Sequence, residues 1–418
     1  MFPDRPPSKV ARLLDARASA CGHGRQWETA ALTPRPARRL EAIPGFGIDK
    51  VAAAAGDDPD VLRLENLDTD VAPSPAALEA TRAAVGHDAA NSWLPFTGRD
   101  DLKAAVADLI GRRSGVDHEA AQVTITCGEG DSMLDALLAV ADPGDEVVIT
   151  DPVYAGMLNR VRLAGAVPRL VPLRVEGGEW RLDLAALAES AGPRTRAVFL
   201  MNPSFPTGAL LSAAEWEAVA ALCRERDLWL LYWSAMEGIV FDGAPVVHPA
   251  ALDGMAERTI TIGGVAFEWR MIGWRIGWLV GPPAIAPELG RVHIYNGLTP
   301  GGIAQAGVLE ALRESEDDLR RCVEEWQRRR DTVLDQLHGY PVVRAAGGWS
   351  LLVDTAALGI DPAEASDWLL SQRVAATPMH SWGGGVAARH LRIVFSREPL
   401  ERLALLGERV EAALGPRS

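Results

Sequence analysis

The chain of 418 residues carries three lysines, Lys9, Lys50 and Lys103, and none beyond position 103. A side-chain amine able to form an imine with an aldehyde is therefore confined to the first quarter of the sequence. The far more numerous arginines stay protonated at any working pH and cannot act as that nucleophile. Their planar guanidinium instead grips carboxylates and phosphates bidentately, and two stand in informative places: Arg275 in Gly273-Trp274-Arg275-Ile276-Gly277, and Arg392 in ARHLRIVFS. After the run QVTITC comes Gly128-Glu129-Gly130-Asp131, at the mouth of a helix where free amides form an anion cup. Carboxylates in an apolar pocket have raised pKa values that suit acid-base work, which makes Glu129, Asp131 and Glu268 candidates. His293 and His390 follow as further candidates. Residue order alone yields no Ser-His-Asp or Cys-His arrangement.

Cys21, Cys127, Cys223 and Cys322 are scattered without metal-ligand spacing, and the eight histidines form no HxxxH or HxH pair, so no metal site is expected. The net charge of -14 excludes the basic surface that nucleic acid demands. No apolar run approaches the length of a membrane span, and MFPDRPPSK lacks a signal peptide's apolar core; a cytoplasmic protein without a membrane partner is the expectation.

Positioning these groups requires an α/β framework. From about residue 100 to 290, short β-branched runs alternate with amphipathic helices, the pattern of a doubly wound, mainly parallel sheet. QVTITC, DEVVITDP, VPRLVPL, RAVFLMNP, LWLLYWS, RTITIGGV and IGWLVGP read as its strands. Ligands in such sheets sit beyond the strands' carboxyl ends. Ser212 with Glu215 predicts a capping box, and Asp361-Pro362 a second helix start. The expected division is an N-terminal arm over 1–50, a large domain over 51–300 and a smaller α+β domain over 301–418.

Several motifs in this frame resemble the fold-type I pyridoxal-phosphate enzymes of the class I/II aminotransferase family. TIGGVAFEWRMIGWRIGW, Thr261 to Trp278, resembles the family's lysine segment, in which Ser-Lys precedes Gly-x-Arg-x-Gly. Counting back from Arg275 puts Phe267 at the Schiff-base lysine and Ala266 at its serine. Asn202-Pro203-Ser204-Phe205-Pro206-Thr207-Gly208 is similar to Asn-Pro-x-Asn-Pro-Thr-Gly, with Phe205 where the family has the asparagine that bonds the cofactor's ring oxygen. Trp233 stands where an aspartate pairs with the pyridine nitrogen. Trp93 replaces a tyrosine that reaches the neighbouring subunit's cofactor phosphate. The resemblance further implies that Tyr154 is the aromatic that stacks on the cofactor ring, Arg275 a phosphate ligand and Arg392 the grip on a substrate α-carboxylate. It also implies a homodimer, with the N-terminal arm as a dimerisation element.

With lysine, aspartate and asparagine replaced by Phe267, Trp233 and Phe205, the expectation is a fold-type I aminotransferase-like protein that has no cofactor and no covalent pyridoxal phosphate. It would run an acid-base isomerisation, elimination, condensation or cyclisation, with Tyr154 and Glu129 as catalytic groups. Its substrate would be an anionic aromatic or apolar molecule held by Arg392 and Arg275 among Trp233, Phe267, Phe205 and Trp93, in specialised biosynthesis. Two alternatives stay open: a ligand-binding protein without turnover, and a transaminase that holds its cofactor non-covalently through Arg275 and Tyr154.

Overall fold

A computed structural model describes residues 35–45 and 47–415 of the chain. Residues 1–34 of the expected arm lie outside the described residues. The central sheet has eight strands: β1 (Val123–Thr126), β2 (Glu146–Asp151), β3 (Val167–Glu176), β4 (Glu179–Leu182), β5 (Thr195–Met201), β6 (Trp229–Trp233), β7 (Thr259–Gly264) and β8 (Gly277–Val280), in the order β1-β8-β7-β6-β5-β2-β3-β4. Pairings β2–β3, β2–β5, β5–β6 and β6–β7 are parallel, while β8 runs antiparallel to both β7 and β1. Six of the eight strands thus point their carboxyl ends to one edge, as the alternation of strand and helix requires. All seven sequence-read strands are present; β4 is an addition, folded back on β3 through Gly177 and Gly178, both at positive φ.

Both core strands β5 and β6 are buried along nearly their whole length, which explains their continuous apolar runs AVFLM and LLYW. Three helices bear on the site: α1 (Glu129–Val140), α2 (Ala155–Leu163) and α3 (Ala213–Arg226). A second sheet near the C-terminus joins β9 (Ser350–Asp354), β10 (Thr377–Pro378) and β11 (His390–Val394) in the order β9-β11-β10, all antiparallel. Among the described residues no helix is long and apolar enough to cross a membrane.

Helix starts follow the sequence signals. Ser212 Oγ accepts the Glu215 amide at 3.3 Å while Glu215 Oε2 accepts the Ser212 amide at 2.7 Å, closing the capping box of α3. Asp361 Oδ1 likewise accepts the Ala363 amide at 2.8 Å. Ser212→Ala removes one half of the α3 box and is expected to lower unfolding stability by about 1 kcal/mol. Chemical denaturation with an unchanged m-value checks this.

Candidate functional site

The carboxyl edge of the large sheet gathers the candidate residues from five strand ends. At the end of β1, Gly128 adopts φ +98°, and a Cβ there would lie 2.6 Å from the Arg275 guanidinium. Gly277 lets its own chain run against the Glu129 amide, where a Cβ would come within 2.7 Å. Glycine is needed at both, because the Arg275 strand and the start of α1 approach backbone to backbone. From α2, Arg160 donates through Nε to the Gly130 carbonyl at 2.6 Å and through Nη1 to the Gly156 carbonyl at 2.9 Å. The first turn of α1 is therefore flanked by two guanidinium groups, Arg275 over Gly128 and Arg160 beside Gly130. Helix amides and dipole add to the positive potential.

Glu129 opens this helix, but its side chain turns inward and is 6% exposed. Its Oε1 lies 3.4 Å from the Ala266 amide and rests on Gly264, where any Cβ would collide with it. Burial pushes the carboxyl up to about 7, against the lowering influence of the Ala266 amide, the Arg275 charge and the facing Trp233 indole. Near neutral pH this group holds or releases a proton within reach of the ring cluster.

That cluster is continuous. Tyr154, from the turn into α2, packs on Phe205 at 5.4 Å, on Trp233 at 5.6 Å and on Trp382 at 5.7 Å between ring centroids. Trp233 meets Phe267 at 6.2 Å, Phe267 meets Trp349 at 5.3 Å, and Trp349 meets Trp326 at 4.9 Å. Phe205, Trp233 and Phe267 are all buried, each ring stabilising the fold by about 2 kcal/mol through burial. The expected guest sandwiched by Tyr154, Trp233 and Phe267 finds no gap here, since the rings fill one another's space.

Arg392 lies under this roof, fully buried on β11. Its guanidinium is 4.6 Å from the Trp382 ring and 5.1 Å from that of Phe205. Nη2 donates to the Glu65 carbonyl and, at 3.2 Å, to Thr377 Oγ1. Nε and Nη1 have no hydrogen-bond partner, and among the described residues Arg392 makes no ion pair. Burial pulls its pKa down to about 9, with Tyr154 and Glu65 acting in the opposite sense. A buried cation with two open donors costs several kcal/mol unless an anion completes it.

Other candidates separate from this centre. Trp93 is 72% exposed and packs edge-on against Phe96. Arg275 is exposed and donates to the Ile272 carbonyl at 3.2 Å. Asp131 is taken up by Asn296 at 2.8 Å and by His293 at 3.3 Å. His293 also bonds Asp135 at 2.9 Å; burial lowers its pKa, but the two aspartates prevail and raise it to about 9. These three groups converge although no spacing announced it. Glu268 is ion-paired with Arg113, and His390 donates through Nδ1 to the Val386 carbonyl, 2.7 Å away.

Sequence reasoning missed Trp382, whose only signal was the run Gly383-Gly384-Gly385 beside it, and Arg160, for which spacing offered none. The Trp382 loop is held by Asp151, whose carboxylate accepts the Val386 and Ala387 amides, each at 3.0 Å, and by the Val153 amide on the Trp382 carbonyl at 2.8 Å.

A pyridoxal-phosphate group meets two different environments here. The anion end fits it: a helix N-terminus, Arg275 and Arg160 converge, with Glu129 largely able to stay neutral. An imine does not fit, because Phe267 has no amine and every lysine is remote in sequence. A flat ring between Tyr154 and Trp233 needs about 7 Å, twice the ~3.5 Å carbon contact distance, so the Trp233 side chain must turn aside to admit one.

Comparison with known proteins bears on this directly. The family model described as "Aminotransferase class I and II" matches residues 59–405. The chain is 32% identical over 340 residues to the arginine–pyruvate transaminase of Pseudomonas aeruginosa, covering 80% of this chain and 85% of that protein. It is 32% identical over 356 residues to a probable N-succinyldiaminopimelate aminotransferase of Mycobacterium tuberculosis, covering 80% and 89%. The N-succinyldiaminopimelate aminotransferase structure from M. tuberculosis superposes with a TM-score of 0.84 at 30% identity, over 90% of this chain and 99% of that one. The Thermus thermophilus aspartate aminotransferase with maleate gives 0.83 at 28%, over 90% and 99%. These findings correct the expectation of a cofactor-free, pyridoxal-phosphate-independent enzyme marked by a missing lysine, since the relatives are named as aminotransferases and the family works with that cofactor. The expectation weighed the replaced lysine, aspartate and asparagine together with an acid at the anion cup; it gave too little weight to Arg275, Arg160 and the α1 N-terminus, which stand together around that cup. The chain belongs to the class I and II aminotransferases.

Proposed function

We propose that the chain is a transaminase acting on α-amino and α-keto acids, with pyridoxal or pyridoxamine phosphate held non-covalently. The observation that carries this reading is Arg392, a fully buried guanidinium with Nε and Nη1 open beneath the ring cluster. A substrate carboxylate would supply an acceptor that these nitrogens lack, beside the Trp382 and Phe205 rings at 4.6 and 5.1 Å from the guanidinium. The relatives' names support the substrate class: arginine, pyruvate, aspartate and N-succinyldiaminopimelate all bear such carboxylates.

When bound, the cofactor supplies exchange of its amine with a keto-acid carbonyl, chemistry that the polypeptide lacks. Arg275, Arg160 and the α1 amides bind the phosphate; Tyr154 and Trp233 line the ring. Proton movement falls to Glu129, whose buried carboxyl sits near neutrality, and to the Tyr154 phenol. The water-excluding walls are Trp233, Phe205 and Phe267. Exposed Trp93 is positioned for contact with a second copy of the chain, as in a homodimer.

The closed packing of Tyr154 on Phe205 and Trp233 favours a second reading, amino- or keto-acid binding without turnover. Titration with pyridoxamine phosphate, followed in the near ultraviolet and by tryptophan emission, separates the two. Saturable binding weakened at least tenfold by Arg275→Ala, with amine transfer to a keto acid, supports transamination. Keto-acid binding without saturable cofactor binding supports the second reading.

Arg392→Ala is expected to weaken carboxylate binding by at least a hundredfold with the fold intact by circular dichroism; unaltered affinity overturns the anchor. Phe267→Lys, which puts an amine at the wall of the ring site, is expected to give a borohydride-trapped adduct with pyridoxal phosphate; no adduct would favour the second reading, in which the rings keep the cofactor out. Glu129 binds its proton more tightly folded than unfolded, its pKa rising from 4.5 to about 7, so its stabilising contribution is complete below 4.5 and is lost as pH rises through about 7. Glu129→Gln cannot ionise, and its stability relative to the parent is expected to increase across that window in denaturation series.

A further inference from the structure

Behind the ring cluster lies a second group of buried charges. Arg113 donates both terminal nitrogens to Glu268, through Nη1 at 3.3 Å and through Nη2 more closely, while the Gly238 amide donates to Glu268 Oε1 at 2.7 Å. Glu237 comes second to the same guanidinium, with Oε2 3.7 Å from Nη1, beyond hydrogen-bond reach. Its other oxygen accepts the Tyr232 hydroxyl at 2.8 Å. Two carboxylates thus share one arginine. Glu237 is 5% exposed and its Oε2 has no hydrogen-bond donor.

This carboxylate lines a cavity of about 410 Å³ together with Arg113, His248, Val246, Leu319 and Val323. The walls combine the aliphatic side chains of Val240, Val246, Leu319 and Val323 with polar ones, among them Arg320, which is engaged by Asp317 at 3.0 Å. His248 adds no positive charge: its Nδ1 accepts the Ala250 amide at 3.2 Å, and burial, with Arg113 and His118 adding to it, pushes its pKa down to about 3. The acid is thus the under-satisfied member of the group.

We infer that this cavity is a binding site for the N–H-bearing cationic end of an alkyl amine or alkyl guanidine, with Glu237 Oε2 as acceptor and Val246, Leu319 and Val323 around the stem. Such a ligand supplies the missing donor and balances the second carboxylate. A buried charge completed in this way favours binding where either part alone does not. The site is independent of Arg392 and of the cofactor cradle.

Calorimetric titration of the full chain with n-butylammonium and n-propylguanidinium tests the assignment. Saturable binding is expected for at least one of them, weakened at least tenfold by Glu237→Gln and by Val246→Trp, which fills the cavity from its exposed rim and keeps the carboxylate. Arg392→Ala is expected to leave it unchanged, so that failure here is distinct from failure of the transaminase reading. Tetramethylammonium carries charge but no N–H and is expected not to bind. Absence of binding by both probes, equal binding of tetramethylammonium, or affinity indifferent to both cavity variants would overturn the proposal.

Discussion

The site depends on a fully buried cation that makes no ion pair among the described residues. Arg392 sits at zero exposure in the middle strand of the small sheet, paired across the register with Leu352 and Thr377. Stripping water from a guanidinium is costly, and what offsets it is a set of partial satisfactions: two π faces, one carbonyl and one hydroxyl. None of these gives Nε or Nη1 an acceptor. The protein therefore maintains an incomplete coordination shell at a position where incompleteness is expensive, and the surrounding aromatic packing makes that tolerable. Phe205 and Trp382 pack against the cation and help to keep bulk water from it, water that would otherwise satisfy it and weaken its hold on a carboxylate.

At the other end of the cradle the controlling factor is backbone proximity. Gly128 and Gly277 bring the Arg275 segment against the first turn of α1, and Gly264 makes room for the Glu129 carboxyl. Glu129 fills polar space without forcing a full negative charge into it, because burial raises its pKa to about 7. An acid at a helix N-terminus is ordinarily ionised and exposed. Here it is inward and near neutrality, compatible with an anion bound beside it.

Much of this was legible in the sequence, and the limits have physical causes. The seven sheet strands were visible because β-branched runs between helix signals have few other ways to be buried, and the α3 and Asp361 caps because their chemistry is local. The short β4 escaped notice: EWRL is too brief to show a period, and only Gly177-Gly178 hinted at a hairpin. Individual site residues could be placed by motif, yet their relations could not. That Tyr154 packs on Phe205 and Trp233, that Trp382 and Trp349 arrive from far along the chain, and that Asp131, Asp135 and His293 converge are outcomes of tertiary packing. The reading of the chain as cofactor-free failed for a related reason: it counted side chains lost from a list, and the retained anion end is a property of backbone amides and glycine contacts.

Asp151 links the two sheets in a way that bears on how the site admits anything. Its carboxylate holds the Val386 and Ala387 amides, while two residues on, the Val153 amide grips the Trp382 carbonyl, one position before Tyr154. The indole above the guanidinium and the phenol beside it are hinged on the same few atoms. The two rings are therefore tied to one acidic clasp, and a shift of either segment is carried to the other.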